Sequence, residues 1–191
     1  PRFFISIMDS AIPDSNPPES PPPRALVVMG VSGCGKSSVA QLLAASMGWT
    51  LYEGDTYHAP ESVRKMQAGI ALTDDDRGQW LQRLAQILAQ ATPAQGVVLT
   101  CSALKRKYRD RLRQALPDQA LGFVFLDLDF ATALQRVQQR PGHFFSPDLV
   151  ANQFATLERP DGERGVVGVS ATLPLPEIVQ RVNAWRAGAT P

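Results

Sequence analysis

Residues 30–37 read GVSGCGKS: a glycine, four residues, then glycine, lysine and a hydroxyl residue. That is the spacing of a P-loop, and it decides the fold. A polyphosphate needs several backbone N–H groups converging at short range. Gly30, Gly33 and Gly35 let the chain bend into such a nest, where side chains would block it. The helix that opens beside Lys36 adds its positive N-terminal end. Lys36 can reach the β- and γ-phosphates, and the Ser37 hydroxyl is placed to ligate magnesium. The flanks agree: residues 25–29 (ALVVM) form an apolar run suited to a buried strand, and residues 38–47 (SVAQLLAASM) read as an amphipathic helix. The chain therefore holds a nucleoside triphosphate.

The 191 residues, 44% of them hydrophobic, suffice for one sizeable domain, and no run is long enough to span a bilayer. A net charge of +1 gives no general reason to expect nucleic acid or an anionic membrane as partner. Two cysteines, Cys34 in the loop and Cys101 at a strand end, suit reduced thiols in the cytoplasm better than a disulfide framework. Residues 1–23 differ from the rest, since seven of the sixteen prolines fall there. They read as a flexible tail ahead of a single domain over 24–191.

Beyond the first helix, residues 49–53 (WTLYE) read as a second strand that delivers Gly54-Asp55 to its C-terminal edge, where open parallel sheets bind ligands. Asp55 is the candidate base: a carboxylate beside the γ-phosphate can take the proton of an attacking hydroxyl and hold magnesium through water. His58 is either a satisfied structural histidine or a substrate contact. Asp74, Asp75 and Asp76 read as a solvated helix N-terminus. A third strand, residues 96–101 (GVVLTC), ends without the aspartate of a conventional Walker B strand, so magnesium leans on Ser37, Asp55 and water.

Residues 102–112 (SALKRKYRDRL) read as a helix that groups Leu104, Tyr108 and Leu112 on one face, with Lys105 and Arg109 at its edge. The pair suggests an anionic substrate. Lys107 and Arg111 fall on a solvated flank. A fourth strand (residues 121–128) leads to a helix carrying Arg136 and Arg140, four apart and able to face a bound nucleotide. Residues 141–145 (PGHFF) break that helix, so about 136–147 reads as a lid. A last strand (166–169) and a helix from about 177 to 186 complete an α/β unit: a P-loop NTPase fold, nucleoside-monophosphate-kinase-like, with a five-stranded parallel sheet, helices on both faces and a lid.

Taken together these blocks resemble the gluconate kinases: GVSGCGKS at Gly30, EGDTYH at Glu53, KMQAGIALTDDDR at Lys65, CSALKRKYRDRLR at Cys101, GHFF at Gly142 and QFATLERP at Gln153. The match runs from about residue 25 to 160. It implies ATP-dependent phosphorylation of D-gluconate on its C6 hydroxyl, with magnesium and commonly as a homodimer. Carried onto matching positions, Gly30, Val31, Ser32, Gly33, Cys34, Gly35, Lys36, Ser37 and Ser38 bind ATP, with Arg136 and Arg140 from the lid. Asp55, Lys36 and Arg140 are the catalytic candidates. Asp55, Lys105 and Arg109 face the gluconate side, with His58, Arg64 and His143 as further candidates for that pocket. The competing readings are a shikimate or nucleoside-monophosphate kinase of the same fold, and a nucleotide-binding regulator without turnover.

Overall fold

The computed structural model describes residues 21–117, 120–139 and 147–188. Among them, five parallel strands form one sheet in the order β2-β3-β1-β4-β5. The chain runs β1 (Ala25–Met29), α1 (Lys36–Met47), β2 (Thr50–Glu53), a single 3-10 turn (Gly54–Tyr57), α2 (Pro60–Gln67), α3 (Asp74–Leu88) and β3 (Val97–Thr100). It continues through α4 (Arg106–Arg113), β4 (Leu121–Asp127), α5 (Phe130–Gln139), α6 (Pro147–Thr156), β5 (Val166–Ser170) and α7 (Leu175–Arg186).

The central strand explains its own sequence. β1 pairs with β3 on one side and β4 on the other, and all five of its residues are buried. Successive side chains point to opposite faces, so both faces need apolar groups and the strand is an unbroken hydrophobic run. Leu26 and Val28 join a layer with Val39 and Leu43 of α1, Val137 of α5, and Ile178 and Val182 of α7. Ala25, Val27 and Met29 join Trp80, Leu84 and Leu88 of α3 and Tyr108 and Leu112 of α4. Edge strand β5 instead alternates, with Val167 and Val169 buried and Gly168 and Ser170 exposed. Thr73 caps α3 in a reciprocal capping box with Asp76, which holds the Thr73 N–H at 2.8 Å.

The expected helix over 102–112 forms only from Arg106, with Lys105 as its N-cap. The reason lies in the backbone acceptors. The Ala103 and Leu104 carbonyls accept from the Arg109 guanidinium, and Leu104 also accepts from the Glu158 N–H. Ala103, fully buried, takes a positive φ of 45° to turn the chain there. The last helix opens at Leu175, two residues ahead of expectation, with Pro174 at the N-cap and Pro176 in the first turn, where its missing N–H leaves no helical bond unmade.

Two glycines set how closely the site can be assembled. Gly30 has φ +141°, and a Cβ there would stand 2.9 Å from both Cys34 Sγ and the Leu126 carbonyl. Gly54 brings the end of β2 against the end of β3, where a Cβ would lie 2.1 Å from the Thr100 carbonyl oxygen. Its N–H donates to Thr100 Oγ1 at 3.1 Å, and its carbonyl accepts from Trp80 Nε1 at 2.8 Å.

Because the obstacle is backbone, Gly54→Ala forces β2 away from β3. We expect a loss of about 1–3 kcal/mol in chemical denaturation, together with a fall in turnover as Asp55 is displaced. Wild-type values in both assays would show that this close approach is not required.

Candidate active site

The phosphate loop spans the gap between β1 and α1. The Lys36 ammonium folds back onto it, donating to the Gly30 and Val31 carbonyls at 3.1 Å each. Beneath it lies a knot of hydroxyl and carboxylate groups. Glu53 Oε2 accepts from Ser37 Oγ at 3.1 Å and from Thr100 Oγ1 at 2.6 Å. β3 does end in Thr100 rather than in an aspartate, and the acidic group at this corner comes from β2. The sequence reading passed over Glu53, although it stands two residues before Asp55 in the EGD run. A carboxylate bonded to the Ser37 hydroxyl, with Asp55 in the same cleft, supplies the hard oxygen donors that magnesium prefers, so the residues fit that ion.

Two clefts meet over the loop. One is lined by Gly33, Gly35, Ser37, Ser38, Arg136, Val137 and Gln139. The other is lined by His58, Met66, Ile70, Ala71, Leu72, Arg77, Trp80, Ser102, Leu149, Asn152 and Gln153. Ser32, Lys36 and Asp55 belong to both. A phosphoryl group seated on the loop can therefore pass between a nucleotide on one side and an acceptor on the other. Arg136 flanks the first cleft, donating to the Ala171 carbonyl at 3.2 Å and lying 3.4 Å from that of Gly33. Arg140 and His143, and most of the expected lid, lie outside the described residues.

The acceptor cleft contains a cation that the sequence reading did not single out. Arg77, on the first turn of α3, donates to the Leu72 carbonyl and lies 5.7 Å from the Tyr108 ring centroid. A fixed guanidinium in a half-apolar cleft suits a carboxylate. His58 stacks on Trp80 with ring centroids 4.2 Å apart. Burial lowers the His58 pKa below its ordinary value, against the opposing pull of Asp55 and with Arg77 adding to the shift. Its imidazole is thus neutral near pH 7, and its buried Nδ1 has no protein partner. Both cysteines are free and buried, and burial pushes their thiols up, that of Cys101 to about 12.

Three expected substrate contacts have other partners in the structure. Arg109 does point inward, but its guanidinium is fully buried and already committed. It bonds Glu163 at 2.5 and 3.0 Å and donates to the carbonyls of Ala103, Leu104 and Glu158. Lys105 pairs with Asp74 at 3.0 Å instead of lining the cleft. Arg64 forms an exposed pair with Glu61, and it is Met66 of the same helix that lines the cleft. Sequence spacing places a side chain on a helix face but cannot show that a distant acid has taken it. Asp74 is likewise more than a solvated helix end: Lys107, Tyr108 and Lys105 all bond it and hold its carboxyl well below the usual range.

This sheet, loop and pair of clefts define a P-loop kinase. A family model described as an AAA domain matches residues 26–160. The gluconokinase of Gluconobacter oxydans is 47% identical over 149 residues, covering 78% of this chain and 83% of that one. A probable gluconokinase of Mus musculus is 41% identical over 176 residues, covering 84% and 96%. The crystal structure of a gluconokinase from Sinorhizobium meliloti 1021 matches with a TM-score of 0.80 at 46% identity, covering 88% and 94%. The chain belongs to the gluconokinase family.

Arg109→Ala separates a structural role from a substrate contact. It leaves Glu163 with Arg113 alone and strips the guanidinium donors from the Ala103, Leu104 and Glu158 carbonyls, so we expect a loss of about 3–5 kcal/mol in stability, with the acceptor KM of the surviving folded enzyme unchanged. A large rise in KM at unchanged melting temperature would restore the substrate-contact role.

Proposed function

We propose that this chain transfers the terminal phosphoryl group of ATP to the C6 hydroxyl of D-gluconate, giving 6-phospho-D-gluconate and ADP. The observation that carries the reading is the meeting of a phosphate cleft and a cation-bearing acceptor cleft at Ser32, Lys36 and Asp55.

The loop amides and the N-terminus of α1 hold the phosphates. Lys36 exchanges the Gly30 and Val31 carbonyls for phosphate oxygens and offsets charge as it develops in transfer. Ser37 and Glu53, with Asp55 through water, would hold magnesium, which neutralises phosphate charge when bound. Asp55 accepts the proton of the acceptor hydroxyl as its oxygen bonds to the γ-phosphorus and the bridge to ADP breaks. Arg136 flanks the nucleotide, and the resemblance adds Arg140 on this side.

On the acceptor side, Arg77 takes the sugar-acid carboxylate that the sequence reading gave to Lys105 and Arg109. Neutral His58 offers a hydroxyl partner, and Ile70, Leu72 and Trp80 cover the carbon chain. His143 adds to this side through the resemblance. The same resemblance supports a homodimer, and two free cysteines support a cytoplasmic location. No described helix is long and apolar enough to cross a membrane.

The deciding assay measures ADP release from Mg-ATP with D-gluconate, shikimate, a nucleoside monophosphate or no acceptor, with 6-phosphogluconate dehydrogenase reading the product. A signal specific to gluconate that passes the coupling enzyme is expected. Faster turnover of shikimate or the monophosphate would reassign the acceptor, and ATP binding without product from any of them would leave a nucleotide-binding regulator. In the same assay Asp55→Asn should lower kcat by about 10²–10⁴-fold with ATP affinity nearly unchanged. Equal losses in both would remove it as the base.

A further inference from the structure

Gln153 belongs to the QFATLERP block, which neither the phosphate loop nor the acceptor cation accounts for. It lies on α6, and its Oε1 accepts the backbone N–H of Ser32 at 2.6 Å across 121 residues of chain. Ser32 is one of the three residues common to both clefts, and Gln153 itself lines the acceptor cleft. A primary amide carries one acceptor oxygen and two N–H donors. Here the oxygen is committed to the loop, which also fixes the amide's orientation. The two N–H donors have no protein acceptor among the described residues.

The helix that carries this amide is anchored at both levels needed to aim it. Val150 packs in the core with Ala133 and Val137 of α5. Beyond its C-terminus, the Glu158 N–H donates to the Leu104 carbonyl, the Glu158 carboxylate accepts from the Arg106 N–H at 2.6 Å, and its carbonyl accepts from Arg109 at 2.9 Å. The buried Arg109–Glu163 cluster thus sets the position of α6 relative to the loop. An amide held this way costs little reorganisation when an oxygen arrives.

We propose that Gln153 donates its amide hydrogens to the terminal phosphoryl group of the nucleotide from the acceptor side, so that it distinguishes a triphosphate from a diphosphate and aligns the group in transfer. This rests on the phosphoryl-transfer reading of the two clefts but not on which acceptor is used. In a P-loop the backbone amides cradle the α- and β-phosphates and the lysine reaches the β and γ, so a diphosphate would not call on Gln153. Charge-assisted donation to a phosphoryl oxygen is the stronger kind of hydrogen bond.

Two variants test it. Gln153→Glu can still accept the Ser32 N–H but has no donors, and Gln153→Met removes both. Binding of ADP and of a non-hydrolysable ATP analogue is measured by calorimetry with magnesium and no acceptor, alongside kcat with D-gluconate and melting temperature. In both variants the preference for the triphosphate analogue over ADP should fall about tenfold or more, with ADP affinity held within about twofold and kcat reduced by about 10–100-fold. An unchanged ratio, or equal loss of ADP and analogue affinity, would overturn the proposal and reduce Gln153 to a brace for the loop. Should the ratio fall in a protein that does not phosphorylate gluconate, the acceptor assignment fails while this one stands.

Discussion

The active corner hangs on one carboxylate oxygen. Glu53 Oε2 receives Ser37 Oγ from the phosphate loop and Thr100 Oγ1 from β3, while the same threonine oxygen accepts the Gly54 N–H. Three segments far apart in sequence are thereby pinned together by hydroxyls on one charged acceptor, and hydrogen bonds to a charged group in a partly buried site are among the stronger ones. Asp55 inherits its place from this knot, because it follows directly on a glycine whose missing side chain allows the contact. Wherever the knot goes, the proposed base and the metal corner go with it.

A second constraint governs the opposite wall. The basic run over 105–113 looks like a binding strip, yet most of its charges are spent within the protein. Lys105 and Lys107 hold Asp74 at the start of α3, while Arg109 and Arg113 share Glu163. The Arg109 guanidinium keeps the Glu163 carboxyl well below the ordinary carboxylate range, at about 2. Its folded value is depressed, so the stabilisation is complete above the ordinary carboxylate pKa of 4.5 and is withdrawn as pH falls towards 2. Burying this cluster has a desolvation cost, and what it supplies in return is a fixed relation between α4 and the segment leaving α6. Arg77, without an acidic partner among the described residues, then joins Lys36 as a cation facing the acceptor cleft.

Much of this was legible in advance. The loop spacing, the apolar run of β1, the glycine-aspartate pair after β2 and the alternation between strands and helices all depend on neighbours in sequence, and the sheet formed with the strands expected, to within a residue or two. The family blocks pointed to the same activity that the relatives carry in their names. The failures share one cause. Lys105 and Arg109 were assigned inward roles from helical spacing and Arg64 one from the resemblance, but a cation's role depends on which acid reaches it, and Asp74, Glu163 and Glu61 reach these three. Glu53 and Arg77 were overlooked for the converse reason, since nothing beside them in the chain announces a partner.

Local order therefore sufficed for the nest of amides, its lysine and hydroxyl, the strand that aims it and the candidate base: backbone conformation and side-chain period act over a few residues. Only the folded chain decided which charges serve the site and which serve the structure, and that a glutamine 121 residues away completes the phosphate loop. Charge pairing and desolvation depend on distances through space, and those exist only once the sheet has brought its strand ends together.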